Sequence, residues 1–180
     1  MGNFHESITD ELKAFAESQP MFFVATAPND GGRVNLSPKG LEPVVVLGPH
    51  EVAYADRTGS GVETIAHLRD NGRITLMFCA FTGKPNIVRF SGRGEPVLPD
   101  DERFAQLAAH FGDVPGLRSI IRIDVDRVQD SCGFGVPLMQ VAGDRRTLDK
   151  WAAGKSDEEL AAYQAEKNSF SIDGLPGLAC

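Results

Sequence analysis

Between residues 21 and 128 the chain keeps returning to short apolar runs, and turn residues close each run before it can reach helix length. Met21 to Ala27 is continuous, aromatic and brief, as a buried strand is. Pro28-Asn29-Asp30-Gly31-Gly32 is turn chemistry, and Arg33 to Ser37 resumes with alternating Val34 and Leu36, so the pair predicts a β-hairpin. Ser37-Pro38-Lys39-Gly40 breaks the second strand. Val44 to Leu47 and Glu51 to Ala55 flank the turn Gly48-Pro49-His50. Arg73 to Ala80, Asn86 to Ser91 with a continuation through Gly92 to Leu98, and Leu117 to Val128 with its alternating Ile121, Ile123 and Val125 bring the count to seven strands. Many short strands with small helices inserted predict an antiparallel barrel rather than alternating βαβ units.

The helices are peripheral to that pattern. Phe4, Ile8, Leu12 and Phe15 form one apolar stripe, so residues 1–19 read as an N-terminal helix that stops before Pro20. Asp100 to Phe111 reads as a helix with Phe104, Leu107, Ala108 and Phe111 on one face and acids in its first turn. Two more are expected, from about Arg146 to Ala153 and from Asp157 to Lys167, followed by a Gly/Pro-rich tail, Ser169 to Cys180. The expected organisation is one domain over 1–180: a barrel core at 21–128, the helix at 1–19, and a helical and loop extension at 129–180.

Tyr54 to Phe78, YADRTGSGVETIAHLRDNGRITLMF, holds the most chemistry. An apolar strand runs into a polar, Gly-rich turn, a short helix with Ile65 and Leu68 inward, and a second strand beginning near Ile74. Asn71-Gly72 closes the helix by a left-handed cap. The first N–H groups of a helix have no partner within it, and the helix dipole favours negative charge there. Gly59 and Gly61 let a ligand approach the backbone, while Thr58, Ser60 and Thr64 offer hydroxyls. Ordinary turn and cap chemistry explains the same residues: Ser60 and Glu63 have the spacing of a capping box. A glutamate so placed would occupy the N–H groups that an anion wants. Gly59-x-Gly61-x-x-Thr64 also matches part of a dinucleotide fingerprint, but the third glycine is missing and the next strand ends without an acid for a ribose.

Composition narrows the function classes. A hydrophobic share of 42%, a charged share of 24% and a net charge of -7 describe a soluble globular chain without the basic footprint of a nucleic-acid binder. No apolar run approaches a membrane span, and the N-terminus lacks a signal peptide, so a cytoplasmic protein is expected. Cys79, Cys132 and Cys180 are few and widely spaced, consistent with reduced thiols. Cys132 reads as a buried or loop-packing thiol rather than a nucleophile. His5, His50, His67 and His110 form no ligand cluster, so no metal site is expected. His67 reads as a surface or packing histidine. Gly154-Lys155-Ser156 lacks the earlier glycine of a phosphate loop.

Four segments, in order and spacing, resemble the pyridoxamine 5'-phosphate oxidase-like flavin-binding split barrels. They are Val34-Asn35-Leu36-Ser37-Pro38-Lys39-Gly40, Tyr54 to Thr64, His67 to Phe78 with its Asn71-Gly72-Arg73-Ile74-Thr75-Leu76 strand start, and Ile87-Val88-Arg89-Phe90-Ser91-Gly92. The C-terminal pieces, Ser131 to Pro137 and Ser171 to Leu178, resemble a branch of that family distinct from the vitamin B6 oxidase itself. The resemblance implies a mainly β chain with peripheral helices, a six-stranded antiparallel split barrel, and a homodimer with FMN at the subunit interface. By position it implies that Ser37 and Lys39 face the flavin or its phosphate. Arg57, Thr58, Ser60, Gly61 and Thr64 would surround the phosphate, and Asn86, Ile87 and Arg89 would approach from the other subunit. Glu63 and Thr64 stand where the family often has basic residues, so charge must come from Lys39, Arg57, Arg89 or a partner chain.

The function expected from this resemblance is an FMN-dependent oxidoreductase acting on a small organic molecule, which would stack on the flavin in a pocket partly built by the 131–137 loop and the C-terminal tail. The alternative is a protein that holds flavin or another anionic ligand without turnover, and a third reading is a dinucleotide-binding enzyme on a parallel sheet. No residue declares itself a catalytic acid or base, and the catalytic residues are not identified from sequence.

Overall fold

A computed structural model describes residues 2–41 and 44–178. Among them the chain forms, in order, β1 (Asn3–His5), α1 (Asp10–Ser18), β2 (Phe22–Thr26), β3 (Asn35–Lys39), β4 (Val44–Gly48), β5 (Glu51–Arg57), α2 (Glu63–Asn71), β6 (Arg73–Cys79), β7 (Ile87–Val97), α3 (Phe104–Ala108), β8 (Leu117–Ser131), α4 (Thr147–Ala153) and α5 (Asp157–Lys167). The strands join in the order β3-β2-β6-β7-β8-β5-β4, with β1 added to β8. Each pairing is antiparallel, which removes the parallel-sheet reading.

Chain connectivity forces this sheet to curl. β3 and β4 are its two ends, yet Lys39 and Val44 are five residues apart and can be separated by at most ~18 Å. Seven strands laid flat would put them roughly 29 Å apart. The result is a split barrel, with eight strands where the resemblance implies six: β1 is a short addition, and the outer strands leave the seam between β3 and β4 open.

Strand alternation sorts the core. On β5, Val52 and Tyr54 point into the barrel with Val24, Leu76, Phe78, Phe90, Ile121 and Ile123, while Ala53 and Ala55 point outward to Leu107 of α3, Val97 and Ile120. Phe22 meets Tyr54 edge-on and packs on Phe78, both with ring centroids 5.5 Å apart. Burial on both faces explains why β5 reads as a nearly continuous apolar run. The same alternation carries Asp56 inward, fully buried, at the barrel mouth.

Several local expectations change. The N-terminal stripe does not form one helix: Asn3–His5 pairs with β8, tied by the Asp130 carboxylate, which accepts from the Asn3 N–H at 3.1 Å and meets His5 Nε2 at 3.0 Å. Phe4 is exposed, under Arg127. The helix starts only at Asp10, where Thr9 accepts from the Leu12 N–H, and it buries Leu12 and Ala16. Pro38 does not end its strand, because β3 is a sheet edge where a missing N–H costs nothing. The helix expected over 100–111 shortens to Phe104–Ala108, flanked by turns. Cys132 is exposed rather than packed, Cys79 is buried, and Cys180, with the end of the expected tail, lies outside the described residues. Gly72 does cap α2 in the left-handed conformation, at φ 72°.

Candidate functional site

Where β3 and β5 approach across the seam, α2 begins beside them and a cleft of about 460 Å³ opens. That is within the roughly 300–1,000 Å³ of small-molecule sites. Asn35, Ser37 and Lys39 form one wall because residues two apart on β3 share a face. Arg57, Thr58, Gly59, Ser60 and Gly61 form another, continuing into Glu63 and Thr64 of α2; Arg118 of β8 and Leu148 of α4 complete it.

The cleft floor is ionic. The buried Asp56 carboxylate accepts from Arg118 Nε at 2.7 Å, from the Ser119 hydroxyl at 3.2 Å and from Lys39 Nζ at 3.3 Å. Burial pushes this carboxyl up, but the charges of Arg118 and Lys39 outweigh burial and hold it below its ordinary value. Burial, and after it the Asp56 charge, pushes the Tyr54 phenol well above its usual range, so the phenol stays protonated. Two cations on one carboxylate leave a surplus of one positive charge at the mouth. Arg57 is matched separately, by Asp149 at 2.7 Å, and donates to the Pro115 carbonyl at 3.1 Å.

The start of α2 differs from its expectation. Ser60 and Glu63 do not form a capping box; Val62 is the cap residue and its side chain makes no capping bond. Glu63 instead accepts the Ile172 N–H at 3.2 Å, a bond to the C-terminal tail that no spacing rule anticipates. The backbone N–H groups of Glu63, Thr64 and Ile65 are left without an acceptor among the described residues. The Glu63 carboxylate lies against Gly61, so a side chain there would have to push it aside. Donors, a glycine turn and nearby cations suit an oxyanion, with Glu63 as an opposing charge at the rim.

A polar chain backs the cleft. Asn35 Nδ2 donates to Thr64 Oγ1 and Thr26 Oγ1, both at 3.1 Å, and the Ser37 hydroxyl donates to Asn35 Oδ1 at 2.8 Å. Thr26 then meets Nδ1 of His67 at 3.0 Å. His67 is buried within this chain, not at the surface, and burial lowers its pKa.

Of the residues expected at the site, Ser37, Lys39, Arg57, Thr58, Ser60, Gly61 and Thr64 share the one cleft. Asn86, Ile87 and Arg89 do not line it within the chain. They sit at the start of β7, where Ile87 pairs with Ser131, Arg89 bonds the Ser131 hydroxyl and the Asn86 backbone presses on Gly133. The loop at 131–137 lies there too, whereas the tail walls a second cleft of about 530 Å³ with Phe170 and Ile172; that cleft shares Asn35, Ser60, Gly61 and Glu63 with the first. The sequence reading missed Asn35, Asp56 and Arg118. Asn35 was available from alternation with Ser37 and Lys39. Arg118 was not: counting back from Ile120 puts it outside the barrel. A bulge between Arg57↔Leu117 and Asp56↔Ser119 leaves Arg118 as the extra residue and turns it inward.

Residues 8–132 match the family model described as pyridoxamine 5'-phosphate oxidase. The chain is 44% identical to the pyridoxamine 5'-phosphate oxidase family protein ustO of Aspergillus flavus, over 97% of this chain and 77% of that one. Among solved structures it resembles HupZ of Group A Streptococcus, at 25% identity and TM-score 0.54 over 67% of this chain and 91% of that one. It also resembles an FAD-binding protein of Mesorhizobium loti, at 16% identity and TM-score 0.52, covering 72% and 95%. An FMN-binding protein of Syntrophomonas wolfei aligns at 15% identity and TM-score 0.51, covering 72% and 89%. These last two likenesses establish the fold. No helix among the described residues is long and apolar enough to cross a membrane.

Proposed function

The chain belongs to the pyridoxamine 5'-phosphate oxidase family, and on that premise we propose that it is an FMN-dependent oxidoreductase working as a homodimer on a small organic molecule. The observation that carries the reading is the start of α2: three backbone donors without acceptors among the described residues, at a glycine turn, beside the Lys39–Asp56–Arg118 cluster. The phosphate of FMN would lie there, against Ser60, Gly61 and Thr64, with Thr58 behind them. Lys39, Arg57 and Arg118 supply the positive field, and Ser37 and Asn35 offer hydrogen bonds to the ring system. Asn86, Ile87 and Arg89 would reach the flavin from the second copy. The bound flavin supplies the hydride chemistry, and the protein orients it and sets its electrostatics. The second cleft, with Phe170 and Ile172 beside the first, gives the substrate an apolar surface next to the ring.

The test is an absorption spectrum of freshly purified protein with mass spectrometry of the released ligand. Flavin absorbance and the mass of FMN are expected; a colourless protein that takes up neither FMN nor FAD would refute the reading. With Lys39→Ala and Ser60→Ala combined, flavin retention should fall far more than the thermal stability of the ligand-free protein, whereas equal losses would mean a packing role. One observation favours a binder without turnover. The cations of the cleft are ion-paired and Glu63 is held by the tail, so no side chain stands ready as acid or base. Bound flavin that neither NADH nor NADPH reduces would select that alternative.

A further inference from the structure

We infer that Asn168 is a positioning residue for the Gly59–Gly61 turn, and that the C-terminal extension acts with Arg118 of the barrel to set the shape in which this turn receives a phosphate. The ligand in this statement rests on the flavin reading above; the positioning does not. Asn168 is fully buried at the end of α5, beyond the part of the chain that matches the family model. Its amide has two uses. Nδ2 donates to the Gly59 carbonyl at 2.9 Å, and Oδ1 accepts from Arg118 Nη1 at 2.9 Å. The same Arg118 nitrogen donates to the Gly61 carbonyl at 2.8 Å. One asparagine and one arginine therefore hold the carbonyls at the two ends of the turn.

Neighbouring contacts act in the same direction. Gln164, one helical turn earlier on α5, donates to the Thr58 hydroxyl at 2.8 Å. Asn168's backbone carbonyl receives the Leu178 N–H at 2.7 Å, and Gly177 packs so closely on Val62 that a Cβ would meet its methyls at 2.6 and 2.8 Å. From the barrel the turn receives Arg118 at the Gly61 carbonyl, and the Thr58 N–H reaches the Gly116 carbonyl at 2.7 Å; after it α2 begins without a side-chain cap. Since the extension and a ligand both act on the turn, whatever the docked extension adds to ligand affinity the ligand returns to the docking of the extension.

The test uses the full chain with Asn168→Ala. FMN and riboflavin are titrated separately by flavin fluorescence, and amide exchange over residues 59–62 is followed in ligand-free protein. Loss of two hydrogen bonds, one of them buried and to a guanidinium, should weaken FMN about tenfold or more. Riboflavin, which has the ring but no phosphate, should bind the variant as it binds the wild type, and exchange in the turn should quicken. If FMN and riboflavin weaken together, or neither weakens and exchange is unchanged, the inference is overturned. Should Asn168→Ala fail to fold, Asn168→Asp keeps the volume and the arginine contact but loses the donor to Gly59, and is read in the same way. If wild-type protein binds neither flavin, the functional reading fails alone, and the exchange result decides the positioning role.

Discussion

Arg118→Met separates an ion cluster that holds the molecule together from one that merely lines a cleft. The arginine side chain is 5% exposed and makes three bonds, to the Asp56 carboxylate, the Gly61 carbonyl and the Asn168 amide. Removing it leaves a fully buried carboxylate with only Ser119 and the partly exposed Lys39. Breaking a buried pair in this way costs about 3–5 kcal/mol. The Gly61 carbonyl borders the cleft and can recover water, whereas the Asn168 amide oxygen is buried and its lost bond adds to the cost. For a chain of this size the loss corresponds to roughly 6–20 °C in Tm. Asp56 also fixes the sign of the pH effect. In the wild type its pKa is held below 3.8, so its contribution is complete above that value and fades as pH falls through the folded pKa. In the variant burial meets only Lys39, the carboxyl rises, and the penalty is relieved by protonation. The wild-type advantage should therefore narrow between pH 7 and pH 4. Urea unfolding at fixed protein concentration measures both quantities. Adding Asp56→Leu should restore about 1–4 kcal/mol, since no buried carboxylate remains. A single-variant loss under about 1 kcal/mol, or a double variant no more stable than the single, would refute the reasoning.

Three further outcomes are expected. Burial lowers the His67 pKa more than Glu63, Asp173 and Asp70 raise it, so the unfolded chain takes up its proton first as pH drops below 6.5. His67→Gln should abolish the part of the stability slope that begins there; urea midpoints at pH 7.5, 6.5 and 5.5 that fall equally for both proteins would contradict this. Glu63→Gln keeps an acceptor for the Ile172 N–H but removes the opposing charge, and should tighten FMN by about three- to tenfold, with the gain shrinking in high salt. Weaker binding would mean that the carboxylate contributes to the site. Ser156→Ala removes the hydroxyl half of the capping box that starts α5 and keeps the backbone N–H that donates to Glu159, and should cost about 1 kcal/mol, read as a lower Tm.

The barrel was legible because period-two alternation and turn chemistry are local. Phe22–Thr26, Val44–Gly48 and Arg73–Cys79 stand within a residue or two of the sequence-based strands. The N-terminal error had a physical cause. Phe4, Ile8, Leu12 and Phe15 satisfy helical spacing, but the stripe says nothing of Thr9, whose hydroxyl starts the helix, or of Asp130, which claims the residues before it. Ser60 and Glu63 failed for a similar reason: the spacing of a capping box was present, and a backbone N–H from residue 172 had the better claim on the glutamate.

What the sequence concealed at the cleft follows from the bulge in β8 and from chain separation. One extra residue between paired positions reverses which way Arg118 points, and no hydrophobic pattern marks it. Asn168 lies 109 residues from Gly59, on a helix whose weak amphipathicity gives no hint of a buried partner. Those two residues divide the labour of the site. β3, β5 and β8 bring the charges, a property of the barrel. The geometry of the turn that would use those charges is set jointly, by Arg118 at the Gly61 carbonyl and by Asn168, from outside the barrel, at the Gly59 carbonyl. A barrel ending at residue 132 would keep Lys39, Asp56 and Arg118 but lose Asn168, Gln164 and the tail that holds Glu63. The Glu63 carboxylate, already against Gly61, would lose its bond to the Ile172 N–H, and an anion would face both a looser turn and a competing carboxylate. Ligand preference in chains of this kind should therefore vary with the extension even where the barrel residues stay the same.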